Sequence, residues 1–497
     1  MRGFWIGFAA GGVFLVVELL GRTAAGVPTL AELVQDRLIL LLPGPVFSFF
    51  LDRLFYLGKP LLFATLLVGQ LVLAGLGGVV LARWPKPYIL AGALWLVTGL
   101  LVLPLAGQGI FAGNLGVALA TFLAFAAYGA TVSYYRHEFA LDAPDVGHPQ
   151  RSGPIETSAG RRLLLGGGIS VLVSAILGRM VIGTLPSLPA AGAGNGNSAD
   201  ETTPHWPSPV TPVAQFYEVS KNLVDPTVDL STWRLTVTGM VDSTLVLTYE
   251  DIRAMPAHET IRTLECISND VGGNLMSNGR WTGVRMSDVL QKAGVKAGAT
   301  DLYFSSVDGY SENMPLAIAM DPNTLLVYLI DGQQLPQKHG FPLRVLNTGT
   351  FGMKNPKWLT GIQLTTTAPV GYWEGQGWSN QSIVQTMSRI DFPSDGAVVR
   401  MSDVLVGGVA FAGSRGIKQV EFSTDNGSTW LAAMLQPSLG LQTWTFWSAH
   451  WQPARPGRYG LAVRATDGTG QVQTDRRATP FPNGATGYDR ISLQVIN

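Results

Sequence analysis

The sequence predicts a protein of three domains: an N-terminal bundle of membrane-spanning helices, a mixed α+β domain, and a C-terminal all-β sandwich. Three observations lead to this prediction. Apolar segments are concentrated in the first 185 residues of the 497-residue chain. A stretch rich in Pro, Gly, Ala, Asn and Ser follows. After it, helical and strand-like patterns alternate up to about residue 370, and only strand-like patterns occur from about residue 383.

The N-terminal domain, residues 1–184, contains apolar segments that are nearly uncharged and long enough to cross a hydrocarbon core of roughly 30 Å. They lie near residues 4–20, 60–82, 87–105, 109–134 and 163–184. Glu18 is the main charged residue inside them. The stretch 38–50 is shorter and is interrupted by Pro43 and Pro45, which favours a re-entrant or interfacial segment over a sixth span. About five spans in contact with membrane lipid are therefore predicted.

Basic residues in the connecting loops predict the orientation of these spans. The loop at 83–86 and the longer loop that contains Arg136, Arg151, Arg161 and Arg162 should lie in the cytoplasm. An odd number of spans then leaves every residue after about 185 outside the cytoplasm. The expected location is the cell membrane, multi-pass, with the later domains on the extracytoplasmic side, although some basic residues also fall on the predicted outer side.

Arg161 and Arg162 directly precede the fifth apolar segment, and two interpretations of this pair stay open. It is either an internal twin-arginine export signal or an ordinary pair of cytoplasmic arginines. None of the six histidines lies in an apolar segment, which argues against a haem with axial histidine ligands in the membrane. The spans are therefore predicted to be an anchor or a docking surface.

The chain has a formal net charge of zero, which argues against nucleic acid as a partner. It contains a single cysteine, Cys266, between a strand-like run at 260–265 and a polar, Gly-rich turn at 267–273. One thiol excludes an intramolecular disulfide, a cysteine-ligated iron–sulfur cluster and a Cys-x-x-Cys pair. A buried structural cysteine, a catalytic nucleophile and a single thiolate ligand to a metal held mainly by another group remain possible.

Residues 185–212 have the composition of a flexible linker. The next domain, 213–370, combines strand-like and helical patterns and is predicted to be α+β. Its strand-like runs lie at 233–239 and 301–307, and its helical patterns at 249–255, 286–293 and 315–320.

Residues 383–497 show only strand signals. Asn426-Gly427 predicts the turn of a hairpin over 420–430, with alternating side chains on both sides of it. Roughly seven short strands in this length predict an immunoglobulin-like sandwich. The cysteine pair of antibody domains is missing, so only the architecture is implied.

Motifs in a fixed order then carry a resemblance to a known family. They lie at 263–269 around Cys266, and at 281–290, 308–310, 314–322, 332–336, 339–344, 357–359, 420–425 and 464–467. With them, residues 213–370 resemble the molybdopterin-binding domain of the sulfite oxidase family, and 383–497 resemble its dimerisation domain. The resemblance implies a molybdenum–molybdopterin cofactor, Cys266 as the molybdenum ligand, and a homodimer formed through the last domain.

The resemblance also implies which residues surround the cofactor. Arg344, Lys357 and His339 are expected to bind the pterin and its phosphate, with Lys354 as a weaker candidate. Tyr217 and Glu218 match a segment that lines the cofactor in methionine-sulfoxide-reducing members, and Ser306 stands where such members have a Thr near the metal. Each of these residues also has a purely structural interpretation, as a surface, loop or turn residue.

The chain departs from sulfite oxidases directly after the ligand. Those enzymes have an asparagine and then two arginines that form part of the oxyanion site. Here Asn269 is kept, but Asp270 and Val271 occupy the arginine positions, and Asp270 could equally organise the turn. With Cys266, Asp270 and Ser306 taken as catalytic, we expect two-electron oxygen-atom transfer on a small substrate.

The reduction of a sulfoxide or a similar neutral oxo-compound is the leading hypothesis, with electrons exchanged with a membrane or extracytoplasmic partner. Oxidation of the sulfite oxidase type is the alternative. A further alternative is a non-catalytic membrane-anchored binding protein with a degenerate cofactor domain.

Overall fold

The structure of the protein is a computed structural model, which describes residues 2–40, 44–106, 108–141, 158–183, 206–222 and 225–497. The described chain forms two compact units. One consists mainly of the helices in the first 187 residues, and the other contains all residues from Asp225 to Asn497. Most of the predicted linker, 185–212, lies outside the described residues.

The first unit is helical. Its helices are α1 (Arg2–Ala25), α2 (Leu30–Leu40), α3 (Gly44–Leu81), α4 (Pro87–Val97), α5 (Leu103–Leu105), α6 (Leu115–Leu141) and α7 (Ser158–Gly183). Among the residues that the structure describes, five stretches are long and apolar enough to cross a membrane: Arg2–Ala25, Leu61–Leu81, Pro87–Leu105, Leu115–Phe139 and Arg161–Val181. They coincide with the five predicted segments. The stretch 38–50 contains the end of α2 and the start of α3 and is not among the five.

Close packing and one buried carboxylate organise the start of this unit. A Cβ atom on Gly7 would lie 2.4 Å from the carbonyl oxygen of Ala74, so α1 and α3 approach each other where glycine is required. The Glu18 carboxylate accepts hydrogen bonds from the Leu30 backbone N–H, at 3.0 Å, and from Gln70 Nε2, at 3.2 Å. Glu18, on α1, thus contacts both α3 and the start of α2. At the start of α2 its carboxylate accepts from a backbone N–H group that has no partner within the helix.

The second unit begins with an α+β part, as predicted. Its strands are β1 (Leu235–Gly239), β2 (Leu245–Leu247), β3 (His258–Glu265), β4 (Met276–Arg285), β5 (Asp301–Ser306), β6 (Ser311–Pro315), β7 (Leu325–Ile330), β8 (Gln333–Gln334), β9 (Arg344–Leu346) and β10 (Leu359–Thr365). Helices α8 (Tyr249–Arg253), α9 (Met286–Ala293) and α10 (Leu316–Ala319) lie close to the predicted positions. One sheet has the order β2-β1-β10-β5-β6, with β1 and β10 parallel. The other has the order β3-β4-β7-β8, with β9 paired to β7.

The second of these sheets positions the only cysteine. Strands β3 and β4 are antiparallel, with Glu265 opposite Met276, so the chain between them forms a loop at one end of the sheet. Trp281 on β4 is fully buried and belongs to the same core as Leu264, Phe304 and Leu343. Burial of such large side chains fixes the strands that carry the loop.

The last part of the second unit consists of two facing sheets. Its strands are β11 (Met387–Phe392), β12 (Val398–Arg400), β13 (Val404–Phe411), β14 (Ile417–Ser423), β15 (Leu431–Ala432), β16 (Met434–Leu435), β17 (Thr445–Trp451), β18 (Gly457–Asp467) and β19 (Asp489–Ile496). The orders are β11-β13-β17-β16 and β12-β19-β18-β14-β15, and Val406 and Trp447 of one sheet share a core with Val420 and Leu461 of the other. We call this part the sandwich. Its kinship with immunoglobulin domains stays a prediction.

The sandwich contains the predicted hairpin. Strands β14 and β15 are antiparallel, and Asn426 and Gly427 between them have φ values of 60° and 95°. The sequence predicted roughly seven strands, whereas the structure has nine here. The additional strands are two or three residues long, too short to produce a visible alternation of side chains.

Candidate cofactor site

The cysteine loop, residues 266–275, joins β3 to β4 and is organised by Asn269. The amide Nδ2 of Asn269 donates to Glu265 Oε1 at 2.9 Å, and its Oδ1 accepts from the Leu275 backbone N–H at 2.9 Å. The backbone N–H of Asn269 donates to the carbonyl of Cys266 at 3.0 Å. One side chain therefore bridges both ends of the loop, which fixes the position of the cysteine.

The thiol of Cys266 is buried, with the residue 8% exposed. Its Sγ atom lies 3.0 Å from Ser268 Oγ. Burial raises the pKa of the thiol, the hydrogen bonds of Ser268 lower it, and the Glu265 carboxyl raises it further. A positive centre is needed to hold this sulfur as a thiolate, and a bound metal would provide one.

The donor set around Cys266 fits a metal that is held mainly by an organic ligand. Among the described residues, no group of three His, Cys, Asp or Glu side chains could hold a metal ion. A single soft thiolate beside a molybdenum–dithiolene unit needs no other protein ligand. The one-cysteine arrangement thus matches the cofactor that the sequence implied.

Tyr217 lies near both the cysteine loop and Arg344. It is half-buried as a residue, and the surroundings of its hydroxyl raise the pKa of that group, chiefly by desolvation, with Cys266 and Glu265 raising it further and Arg344 lowering it. A Cβ atom on Gly352 would come within 2.7 Å of the Tyr217 hydroxyl oxygen, so the hydroxyl occupies the space that this glycine leaves open. Tyr217 thus lies close enough to both Cys266 and Arg344 for their charges to affect its hydroxyl, while its role at the cofactor stays a prediction.

The basic residues form a cluster that we call the cationic group: Lys338, His339, Arg344 and Lys357. The Arg344 guanidinium donates to the carbonyls of His339, at 3.1 Å, and Asn355, at 3.3 Å, and stands 5.3 Å from the Trp281 ring centroid. Burial lowers the pKa of Arg344 to about 10. Its Nε is buried and has no hydrogen-bond partner among the described residues.

Lys357 and His339 complete the cationic group. Lys357 Nζ donates to the carbonyl of Lys338 at 2.9 Å and lies 4.2 Å from the Trp358 ring centroid. Burial, followed by the charges of Lys357, Lys338 and Arg344, lowers the pKa of His339 to about 3. The imidazole is therefore neutral near pH 7, and its Nε2 lies 3.3 Å from the Val213 carbonyl oxygen. A neutral imidazole can both donate and accept hydrogen bonds, as a pterin ring requires.

The protein balances the charge of this group only in part, because burial lowers the pKa of Lys357 and nearby carboxylates, Asp225 and Glu218 among them, raise it. Glu218 pairs with Lys338 at 3.3 Å. Within the described part of the chain, neither Arg344 nor Lys357 forms an ion pair with a carboxylate. The buried charge of Arg344, which has no carboxylate in an ion pair with it, is costly, and an anionic ligand would compensate it. The unpartnered Nε of Arg344 gives the same indication, so the cationic group fits the phosphate of a pyranopterin.

Two other predicted catalytic residues lie in different surroundings. Ser306 ends β5 beside Trp358, because the Val307 N–H donates to the Trp358 carbonyl at 3.0 Å; its Oγ is buried without a partner among the described residues. The Asp270 side chain is half exposed. Its Oδ1 accepts from the Val271 N–H at 2.7 Å, and its Oδ2 lies 3.7 Å from Arg477. Asp270 therefore shapes the turn and carries a partly compensated charge.

The weaker candidate Lys354 has a structural role. Its ammonium is buried and pairs with Glu312, at 2.8 Å, and with Glu374. Sequence reasoning missed Arg389 and Arg477, which reach the cysteine loop from the sandwich. No local pattern could have identified them, because each lies more than a hundred residues from Cys266 along the chain.

Comparisons with known proteins show which proteins this chain resembles. Residues 222–373 match the family described as the oxidoreductase molybdopterin binding domain. The chain is 36% identical over 160 residues to the uncharacterized oxidoreductase YuiH of Bacillus subtilis, which covers 31% of this chain and 79% of that protein. It is 30% identical over 340 residues to the mitochondrial sulfite oxidase of Rattus norvegicus, covering 58% of this chain and 62% of that protein.

A solved structure shows the same fold. The sulfane dehydrogenase SoxCD from Paracoccus pantotrophus is 22% identical, with a TM-score of 0.52 over 58% of this chain and 82% of that one. These relationships define a molybdopterin-dependent oxidoreductase. More narrowly, the chain belongs to the sulfite oxidase family.

The predicted enzyme class and the molybdenum–molybdopterin cofactor are thereby confirmed. The chain spans about three fifths of the length of the curated rat and mouse sulfite oxidases that it matches. The family match begins at residue 222, and so it does not include the helical unit.

Proposed function

We propose that the protein is a membrane-anchored molybdenum–molybdopterin enzyme that transfers an oxygen atom in a two-electron reaction, reducing a small neutral oxo-substrate such as a sulfoxide. One observation carries the substrate class: the cysteine loop supplies no positive charge of its own. Its ionisable residues are Cys266 and Asp270, and Glu265 precedes it directly.

The charge of the loop discriminates between substrates. Asp270 follows Cys266 by four residues in the same loop, so its carboxylate would repel a sulfite dianion that approaches the metal, and the compensating Arg477 is exposed. At an effective dielectric constant near 20, two like charges about 4 Å apart repel by about 4 kcal/mol, and less where solvent screens them. A sulfoxide or N-oxide carries no net charge and avoids this repulsion, so the loop favours neutral substrates.

The residues of the chain have distinct roles in this proposal. When bound, the cofactor supplies the two-electron redox centre and the site that accepts the oxygen atom. Cys266 would bind the metal, while Arg344 and Lys357 would bind the phosphate. His339, neutral near pH 7, would hydrogen-bond the pterin. The net reaction consumes two electrons and two protons and releases the reduced substrate and water, so an electron donor is required.

The apolar helices support the membrane anchor, and the loop charges support an extracytoplasmic catalytic domain. We propose a membrane or extracytoplasmic protein as the electron donor, because the cofactor would then lie on that side. We also propose that the sandwich forms a homodimer, since it contains no evident chemistry of its own. Reporter fusions at residues 150 and 195 should report opposite compartments, and identical compartments would contradict the orientation.

Sulfite oxidation is a second candidate function, which two observations favour. Curated relatives at about 30% identity are named sulfite oxidases. In addition, Arg477 brings a positive charge within 3.7 Å of Asp270, close to the position where those enzymes have arginines. The two candidates differ in substrate charge and in the direction of electron flow, so they can be separated by experiment.

The full chain should be purified in detergent and its molybdenum content determined by elemental analysis. Sulfoxides and N-oxides should then be tested with a reduced dye as electron donor, and sulfite with a one-electron acceptor. We expect kcat/KM for the best neutral substrate to exceed that for sulfite by at least about a hundredfold, which corresponds to about 2.7 kcal/mol. Efficient sulfite oxidation together with negligible sulfoxide reduction would contradict the proposal.

A further inference from the structure

The cysteine loop is held from the sandwich as well as from its own domain. Arg389, on β11, donates from Nη1 to the carbonyl oxygen of Gly273 at 2.8 Å. Gly272, with φ of +75°, lies so close to Asp489 that a Cβ atom would be 2.7 Å from Oδ1. Two consecutive loop residues are therefore in contact with the sandwich.

The arginine that makes this contact is itself fixed. Arg389 is buried, and its Nε pairs with Asp391 Oδ1 at 2.7 Å. The carbonyl of Arg389 accepts from Trp447 Nε1 at 3.2 Å. A guanidinium held by an ion pair on one side presents its remaining N–H groups in a defined direction. The bond to Gly273 thus acts as a rigid support.

The bond reaches Cys266 through Asn269. A Cβ atom on Gly273 would lie only 2.5 Å from Asn269 Oδ1, so the loop is closely packed against the side chain that organises it. Asn269 in turn donates its backbone N–H to the Cys266 carbonyl. A displacement of Gly273 would therefore disturb Asn269 and, through it, the cysteine.

We propose that Arg389 is a positioning residue of the cofactor site, which holds the cysteine loop so that the Cys266 sulfur faces the metal. The inference rests on Cys266 being the metal ligand of the proposed function. It gives the sandwich a direct role in the chemistry of the preceding domain. A ligand that must be held in place by its neighbours loses metal affinity or activity when that support is removed, typically by about 10- to 100-fold.

The single cysteine makes a direct test possible, because thiol alkylation reports on Cys266 alone. The full chain, purified in detergent without cofactor, is treated with iodoacetamide. We expect Arg389→Met to increase the alkylation rate at least about tenfold over the unmodified protein. Arg464→Met is the matched control, because Arg464 pairs with Glu421 at 2.8 Å within the sandwich. Its alkylation rate should stay within about twofold of the unmodified protein.

A conservative variant and a spectroscopic measurement complete the test. Arg389→Lys keeps the charge but not the forked geometry, so its alkylation rate should lie between those of the unmodified protein and Arg389→Met. In the loaded enzyme, Arg389→Met should alter the electron paramagnetic resonance signal of molybdenum(V), and Arg464→Met should not.

An alkylation rate for Arg389→Met within about twofold of the unmodified protein would overturn the proposal. An equal increase in Arg464→Met would also overturn it, since the effect would then be a general loss of stability. If Arg389→Met does not fold, an unchanged alkylation rate in Arg389→Lys overturns it instead. Because alkylation does not depend on the substrate, efficient sulfite turnover would refute the proposed substrate class and leave this result unaffected.

Discussion

The two ends of the candidate cofactor site are built on opposite principles. At the cysteine loop, a single thiol is surrounded by hydrogen-bonded polar groups and carboxylates, with Glu265 and Asp270 on either side of it. At the cationic group, Arg344 is buried and forms no ion pair with a carboxylate within the described part of the chain, and Lys357 beside it is half-buried. One end therefore supplies a ligand, and the other supplies charge.

This difference indicates a division of labour. Uncompensated buried charge destabilises the empty protein and is relieved by an anion, so the cationic group should decide whether the cofactor is retained. The cysteine loop has its own hydrogen bonds and a support from the sandwich, so it should decide what the bound cofactor does. Variants at the two ends should then have separable effects on cofactor content and on turnover.

The largest effect is expected from Cys266→Ser. Turnover should fall to background, because a hydroxyl is a poor substitute for a thiolate on molybdenum. Folding should survive the small change, with a thermal midpoint within a few degrees of the unmodified protein. Activity assays and thermal unfolding measure the two effects. Ser268→Ala is the matched control, since it removes the hydroxyl 3.0 Å from the sulfur and keeps the ligand. Full turnover by Cys266→Ser would rule out Cys266 as the ligand.

The next largest effect concerns the other end of the site. Arg344→Met should lower the molybdenum content of the purified protein at least about tenfold, because a buried cation that can bind phosphate is removed. The cofactor-free protein should lose no more than about 1 kcal/mol, since the lost hydrogen bonds are offset by removal of an unpaired buried charge. Elemental analysis and denaturant unfolding measure these quantities. A large loss of stability with unchanged molybdenum content would show that Arg344 is structural.

The sequence predicted most of the fold because its signals are local. The five apolar segments, the helix Met286–Ala293 and the hairpin at Asn426-Gly427 all appear where periodicity and turn residues indicated. The candidate cofactor residues came from the resemblance, and the fold brings Tyr217, Arg344 and Lys357 into one region.

What the sequence could not predict depends on contacts between distant segments. The ion pairs of Lys354 with Glu312 and Glu374, which give it a structural role, join three separate parts of the chain. Arg477, which lies beside Asp270, and Arg389, which contacts the cysteine loop, are likewise far from their partners along the chain. Long-range pairing of this kind follows from tertiary packing and leaves no trace in the spacing of residues.

A smaller effect is expected from the charge of the cysteine loop. Asp270→Arg should increase the ratio of sulfite oxidation to sulfoxide reduction by about tenfold, because it replaces repulsion of a dianion by attraction at a half-exposed position. Arg477→Gln should change the ratio in the opposite direction. Steady-state kcat/KM values for both substrates, measured at low and high salt, test this prediction. A ratio that neither variant changes would show that the loop charge does not select the substrate.

The smallest effect concerns how the stability of the protein depends on pH through His339 in the cationic group. Burial and three neighbouring cations lower the pKa of His339 from 6.5 to about 3, so the folded protein keeps this ring neutral where the unfolded chain protonates it. This contribution to stability is complete above pH 6.5 and is lost progressively as the pH falls towards 3, at up to about 1.4 kcal/mol per pH unit. His339→Gln removes that loss. The urea midpoint of the cofactor-free chain should therefore fall less steeply between pH 6.5 and 4.5 in the variant than in the unmodified protein. Parallel pH profiles for His339→Gln and the unmodified protein would contradict this prediction. They would mean that the ring becomes protonated in the folded state, and that the cationic group is less densely charged than its geometry indicates.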